Sequence, residues 1–152
     1  MADKKKLIVV DSRPLITLAL ADTLDVLVMP GAKVIIPDMV MFVTTDKPGS
    51  NEILGWLSAK KDSVFIAQTE VYYEYKTIRE VNPDTKIGHR EEWAAGEVMT
   101  TELERAPKGK IILLFDEIEK SPNHIRPLPD NVRCMSVSML VYAAKVRSEA
   151  LL

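Results

Sequence analysis

The sequence predicts an α/β protein with three layers, helices on both sides of a mainly parallel central sheet. Two observations predict it. Short apolar runs rich in β-branched residues, of which Leu7–Asp11 (LIVVD) and Ile111–Phe115 (IILLF) are the clearest, alternate along the chain with longer helical patterns. Apart from the terminal Asp11, both runs are apolar throughout instead of alternating with polar residues, which is how strands covered on both faces read.

The elements follow in order. After the first strand, Pro14–Leu27 carries Leu15, Leu18, Leu24 and Leu27 with Ile16 and Leu20 between them, a helix apolar enough to lie on a sheet and closed by Pro30-Gly31. Lys33–Pro37 (KVIIP) is a second strand, followed by a helix over Asp38–Thr45. Asp46-Lys47-Pro48-Gly49-Ser50 has turn chemistry, and Asn51 is placed to cap a helix over Glu52–Lys60. Ser63–Ala67 (SVFIA) is a third strand. Glu70–Val81 has the aromatic content of a strand and the charge spacing of a helix, and is read as a helix. Asn82-Pro83-Asp84 ends it, and His89–Arg105 is a further helix with Trp93, Val98 and Leu103 on its apolar positions. Pro107-Lys108-Gly109 turns the chain into IILLF. Ser121–Asp130, with prolines at 122, 127 and 129, is an exposed loop. Val132–Met135 is a last strand, and Ser136 caps a closing helix.

Composition narrows the class. The 152 residues suit one domain spanning 1–152, and 47% hydrophobic with 28% charged residues is ordinary for a folded globular protein. Cys134 is the lone cysteine, so an internal disulfide is excluded and a buried, inert thiol is expected. The lysine-rich start is followed by an apolar stretch that breaks at Asp11, too short for a signal peptide or membrane span, so a cytoplasmic protein without membrane contact is expected. A net charge of −2 excludes nucleic-acid binding by bulk electrostatics and leaves it to a local patch or to metal.

The chemistry lies at the strand ends. LIVVD ends on Asp11, and IILLF runs into Asp116 and Glu117. In an open parallel sheet ligands sit outside the carboxyl ends of the strands, so acids there face a site. A pair of carboxylates in that position makes a divalent-metal site, although each acid would also serve as a helix cap. Mg²⁺ or Mn²⁺ takes carboxylate oxygens and needs neither histidine nor cysteine, which suits a chain with only His89 and His124. The methionines, Trp56 and Trp93 are read as packing residues. Tyr72, Tyr73 and Tyr75 cluster densely enough to suggest a contact surface.

VVDSRPLITLALADTLDVL from Val9, followed by VIIPDMV from Val34, resembles the opening of PIN-domain proteins of the VapC kind. AAGEV at Ala94–Val98, ILLFDE at Ile112–Glu117 and the segment 136–152 resemble that group's later helix, acid-ending strand and closing helix, in the same order. The resemblance implies a PIN-like fold and a Mg²⁺- or Mn²⁺-dependent endonuclease acting on single-stranded RNA, the toxin half of a toxin–antitoxin pair. It implies Asp11, Glu97 and Asp116 as metal-binding, catalytic acids, with Ser12 and Glu117 as accessory groups on the substrate. RNA, an antitoxin protein and a second copy in a homodimer are the partners to be expected.

One position departs from the pattern. The group carries a glutamate six residues past the proline of the second strand, and this chain has Val43 there. Asp38 and Asp46 are the nearest acids. With Val43 expected to face the site, Val43→Glu should add a ligand. The alternative reading is therefore a PIN-fold binding or regulatory module that does not cut. ILLFDEIEKSP at Ile112–Pro122 also resembles the Walker B segment of Clp-type ATPases, but no G-x-x-x-x-G-K-[ST] loop accompanies it. A receiver-like phosphoacceptor domain would need an early acid pair and a late lysine in an order that does not map onto this chain.

Overall fold

The computed structural model describes residues 6–28, 31–115 and 129–150, the last four in backbone only. Its elements are β1 (Lys6–Val10), α1 (Ser12–Leu20), a 3-10 turn (Leu24–Leu27), β2 (Lys33–Pro37), α2 (Asp38–Thr44), α3 (Ser50–Ala59), β3 (Val64–Ala67), α4 (Glu70–Val81), α5 (Arg90–Arg105), β4 (Lys110–Phe115), β5 (Val132–Ser136) and α6 (Val137–Ala150). The five strands pair in the order β3-β2-β1-β4-β5, all parallel. From β1 the chain winds outward through β2 to β3, then returns to lay β4 on the other side of β1. The winding therefore reverses between β1 and β4, and at such a switch point the carboxyl ends open a crevice.

Alternation along the strands assigns each residue to a layer. Ile8 and Val10 of β1, Val34 and Ile36 of β2 and Leu114 of β4 share one core with Leu15 and Leu18 of α1, Ile53 and Trp56 of α3 and Leu140 of α6. Val9, Ile35, Leu113 and Phe115 point the other way and pack on Ala95 and Val98 of α5. The result is the expected three-layer α/β/α architecture. A smaller cluster joins α2, α4 and α5 through Met39, Tyr75 and Ala94, and Val43 packs against it with Phe42 and Tyr72. Val43, expected to face the site, packs half-buried against this apolar seam.

Several boundaries differ from the sequence reading for local reasons. The helix expected over Pro14–Leu27 stops at Leu20, because Asp22 adopts a left-handed φ of 56° and the chain resumes as the 3-10 turn. Helix α3 begins at Ser50 with Gly49, not Asn51, at its cap. Gly49 has φ 92°, and a Cβ there would meet the Ala19 Cβ at 3.2 Å, so both conformation and space require glycine. The ambiguous segment Glu70–Val81 is helical, capped by the Thr69 hydroxyl, which accepts from Tyr72 N–H at 3.2 Å. Ser136 caps α6 as expected, its Oγ accepting from Met139 N–H at 3.2 Å.

Trp56 is buried, and its Nε1–H donates to Asp25 at 3.0 Å. Trp93, read as a packing residue, is instead 56% exposed beneath the Arg90 guanidinium. Among the described residues no helix is long and apolar enough to cross a membrane. Asp116, Glu117, His124 and most of the proline-rich loop lie outside the described residues.

Candidate carboxylate site at the strand ends

Asp11 directly follows β1, where its N–H donates to the Leu114 carbonyl of β4 at 3.3 Å and extends the ladder by one residue. It therefore stands at the switch point, beside the end of β4. Its carboxyl caps α1 by accepting from Ser12 N–H at 3.0 Å. The same N–H also reaches the Glu91 carboxylate at 3.2 Å, so one backbone donor serves two acids far apart in the sequence. Ser12, expected as an accessory group, is buried and holds the pair together through its backbone.

A second carboxyl beside Asp11 in a half-buried place disfavours the ionised form of Asp11. Burial pushes the Asp11 carboxyl up from an ordinary 3.8 to about 8, and the hydrogen bond and negative charge of Glu91 push in the same direction. Glu92 adds a smaller repulsion, while the Ser12 N–H opposes the shift. Asp11 consequently holds a proton at neutral pH and donates it toward Glu91. A divalent cation would relieve the same repulsion by taking that proton's place.

Glu91 was not among the acids singled out in the sequence. It lies in the first turn of α5, where an acid is expected simply to complement the helix dipole. Only the crossing of α5 over the end of β1 gives it a second role. Glu97, the acid singled out on this helix, lies six residues further on, about 9 Å along the axis and on a different side. Its two carboxylate oxygens accept from Glu70 N–H at 2.8 Å and Val71 N–H at 3.1 Å, closing the N-terminus of α4.

Asp38, at the end of β2, is also committed to the frame. It accepts from Met39 N–H at 2.9 Å, Thr69 N–H at 2.9 Å and the Thr69 hydroxyl at 2.7 Å, clasping the connection after β3 to the start of α2. Asp38 and Glu97 border an open cleft of about 700 Å³, with Tyr72, Tyr73 and Lys76 on its other wall. Tyr73 is 67% exposed, and the Lys76 ammonium sits over the Tyr72 ring at 4.8 Å. Tyr75, in contrast, is buried with its hydroxyl donating to the Thr85 carbonyl.

The carboxyl edge thus carries two centres, the Asp11–Glu91 pair at the switch point and the Asp38–Glu97 frame beside the cleft. Among the described residues no three acidic, histidine or cysteine side chains gather closely enough to enclose a metal ion by themselves. No protein-family model matches the chain, and no curated protein is similar to it in sequence.

Proposed function

We propose that this protein is a PIN-like, divalent-metal-dependent endonuclease of single-stranded RNA whose reaction centre is the carboxyl edge of the sheet at the β1/β4 switch point. The observation that carries the proposal is the Asp11–Glu91 pair, two carboxyls joined through one backbone N–H where an open parallel sheet takes its ligand. Hard oxygen donors under mutual repulsion fit Mg²⁺ or Mn²⁺. Asp11 and Glu91 would hold the ion, with Asp116, which follows β4 in sequence, completing the set and Glu117 next to it.

A bound divalent ion at such a site polarises a phosphoryl oxygen and lowers the pKa of water. The chain's own residues would do the rest. Ser12 N–H keeps the two carboxyls in register, and Asp11 yields its proton when the site is loaded. The 700 Å³ cleft offers the exposed Tyr73 ring as a base platform and Lys76 as a phosphate partner. The wider reading includes a cytoplasmic setting, an antitoxin protein as partner and a homodimer.

A second reading is favoured by a specific observation. Glu97 uses both oxygens to cap α4, and Val43 fills an apolar seam, so two positions expected to supply acids are otherwise engaged. On that reading the protein is a PIN-fold binding module that does not cut.

The test is cleavage of a labelled single-stranded RNA with Mg²⁺ or Mn²⁺, run beside calorimetric titration with Mn²⁺. The nuclease reading expects cleavage that stops in chelator and falls at least about a hundredfold in Asp11→Asn and in Glu91→Gln. Mn²⁺ binding without cleavage selects the binding module. Equal cleavage by wild type and both variants would refute the site.

A further inference from the structure

The amino ends of the strands, on the opposite edge from the acids, carry a second concentration of charge. Lys6 of β1 and Lys110 of β4 are register partners, so their side chains leave the same face of adjacent strands, whose backbones lie about 4.8 Å apart. Ile112, two residues after Lys110, pairs with Arg133 of β5, which puts Arg133 on that face too. Like charges placed side by side on a sheet face destabilise it. The Lys6–Lys110 pair therefore costs stability, and Arg133 on the edge strand β5 adds a third cation to the same face one register step away.

Their surroundings form a cavity of about 450 Å³ that also includes Lys108, with the partly buried Ile112 and Met135 as apolar lining and Asp130 as its one carboxylate. The loop bearing Lys108 is held in place. Asn131 Nδ2 donates to the Pro107 carbonyl at 2.9 Å and the Gly109 carbonyl at 2.6 Å, and the Asn131 carbonyl accepts from Ile111 N–H at 3.0 Å. The ion pairs among the described residues join Lys60 to Asp25, His89 to Glu92 and Arg105 to Glu102, and none uses these four cations.

We propose that this cavity is an anchoring site for the phosphodiester backbone of a single-stranded nucleic acid, distinct from the carboxyl edge. Four exposed cations against one carboxylate on a chain of net charge −2 form the local patch that nucleic-acid binding would require. The concave shape and apolar lining select the single strand. An unstacked nucleotide can place its base or sugar against Ile112 and Met135 while its phosphates meet the cations, whereas a duplex keeps its bases paired. The site lies one strand length, about 15 Å, from Asp11. A bound strand would be held away from the acids, so this site sets affinity and placement, not bond cleavage.

The test measures fluorescence anisotropy of a labelled 20-nucleotide oligouridylate with the full chain, in chelator so that no cleavage contributes. Wild type should bind with strong salt dependence. The triple variant Lys108→Gln, Lys110→Gln, Arg133→Gln should bind about tenfold more weakly, and its log–log salt slope should be shallower by about 2, at about 0.7 per lost phosphate contact. Lys61→Gln, an exposed lysine elsewhere, should bind as wild type. Because like charges are being removed, the triple variant should melt no lower than wild type at low salt, which confirms that it folds. Unchanged affinity in the folded triple variant, equal competition by duplex RNA, or full displacement by millimolar inorganic phosphate would each overturn the proposal. Because the assay is independent of catalysis, binding that persists without nuclease activity would refute only the reading of the carboxyl edge.

Discussion

Asp11→Asn should make the metal-free protein more stable at neutral pH. In the wild type, folding moves the Asp11 carboxyl from an ordinary 3.8 to about 8. Between those values the folded state holds a proton that the unfolded state has released, so the stability of the folded state falls as pH rises, by up to about 1.4 kcal/mol per unit. Below 3.8 both states are protonated and no penalty exists; above about 8 it is complete, on the order of 5 kcal/mol. Asparagine keeps the structural features of the protonated acid. Its carbonyl accepts from Ser12 N–H, and its amide donates toward Glu91 where the proton did. The variant should therefore gain on the order of 2–4 kcal/mol at pH 7, and almost nothing at pH 4. Urea unfolding followed by circular dichroism in chelator, at one-unit steps from pH 4 to pH 8, gives both curves. Parallel curves for wild type and variant would mean that Asp11 is ionised throughout, and would refute the shared-proton description of the pair.

Two further substitutions separate roles at the same edge. Glu97→Ala should cost about 1–3 kcal/mol in urea unfolding, because Glu70 N–H and Val71 N–H lose their charged acceptor; a loss of Mn²⁺ affinity without loss of stability would instead mark Glu97 as a ligand. Val43→Glu should destabilise the fold by about 1–3 kcal/mol and leave Mn²⁺ affinity unchanged in calorimetry, since the new carboxylate enters the seam around Met39, Tyr75 and Ala94.

Much of the architecture follows from local pattern. The runs LIVVD, KVIIP and IILLF are apolar on both faces, which is only stable under two helical layers, and the structure places Val9 and Ile35 on one side and Ile8, Val10, Val34 and Ile36 on the other. The polarity of the site edge was legible for the same reason: a carboxylate that ends a buried strand cannot turn back into the core. Helix boundaries were less so, because the left-handed turn at Asp22 depends on how the chain leaves α1 and not on the apolar spacing through Leu27.

Fold class, sheet direction and the place of Asp11 at a strand end are all set by local pattern, since each rests on the alternation and burial of residues close together in the chain. Tertiary structure alone decided which acid meets Asp11. Glu91 and Glu97 share one helix and one chemistry, and only the angle at which α5 crosses the sheet brings the first to Ser12 N–H and the second to the start of α4. The same holds for Lys6, Lys110 and Arg133, scattered along the chain and gathered by register into one charged face. Pairings between distant residues are set by packing and register, and neither is written in the spacing of any single segment.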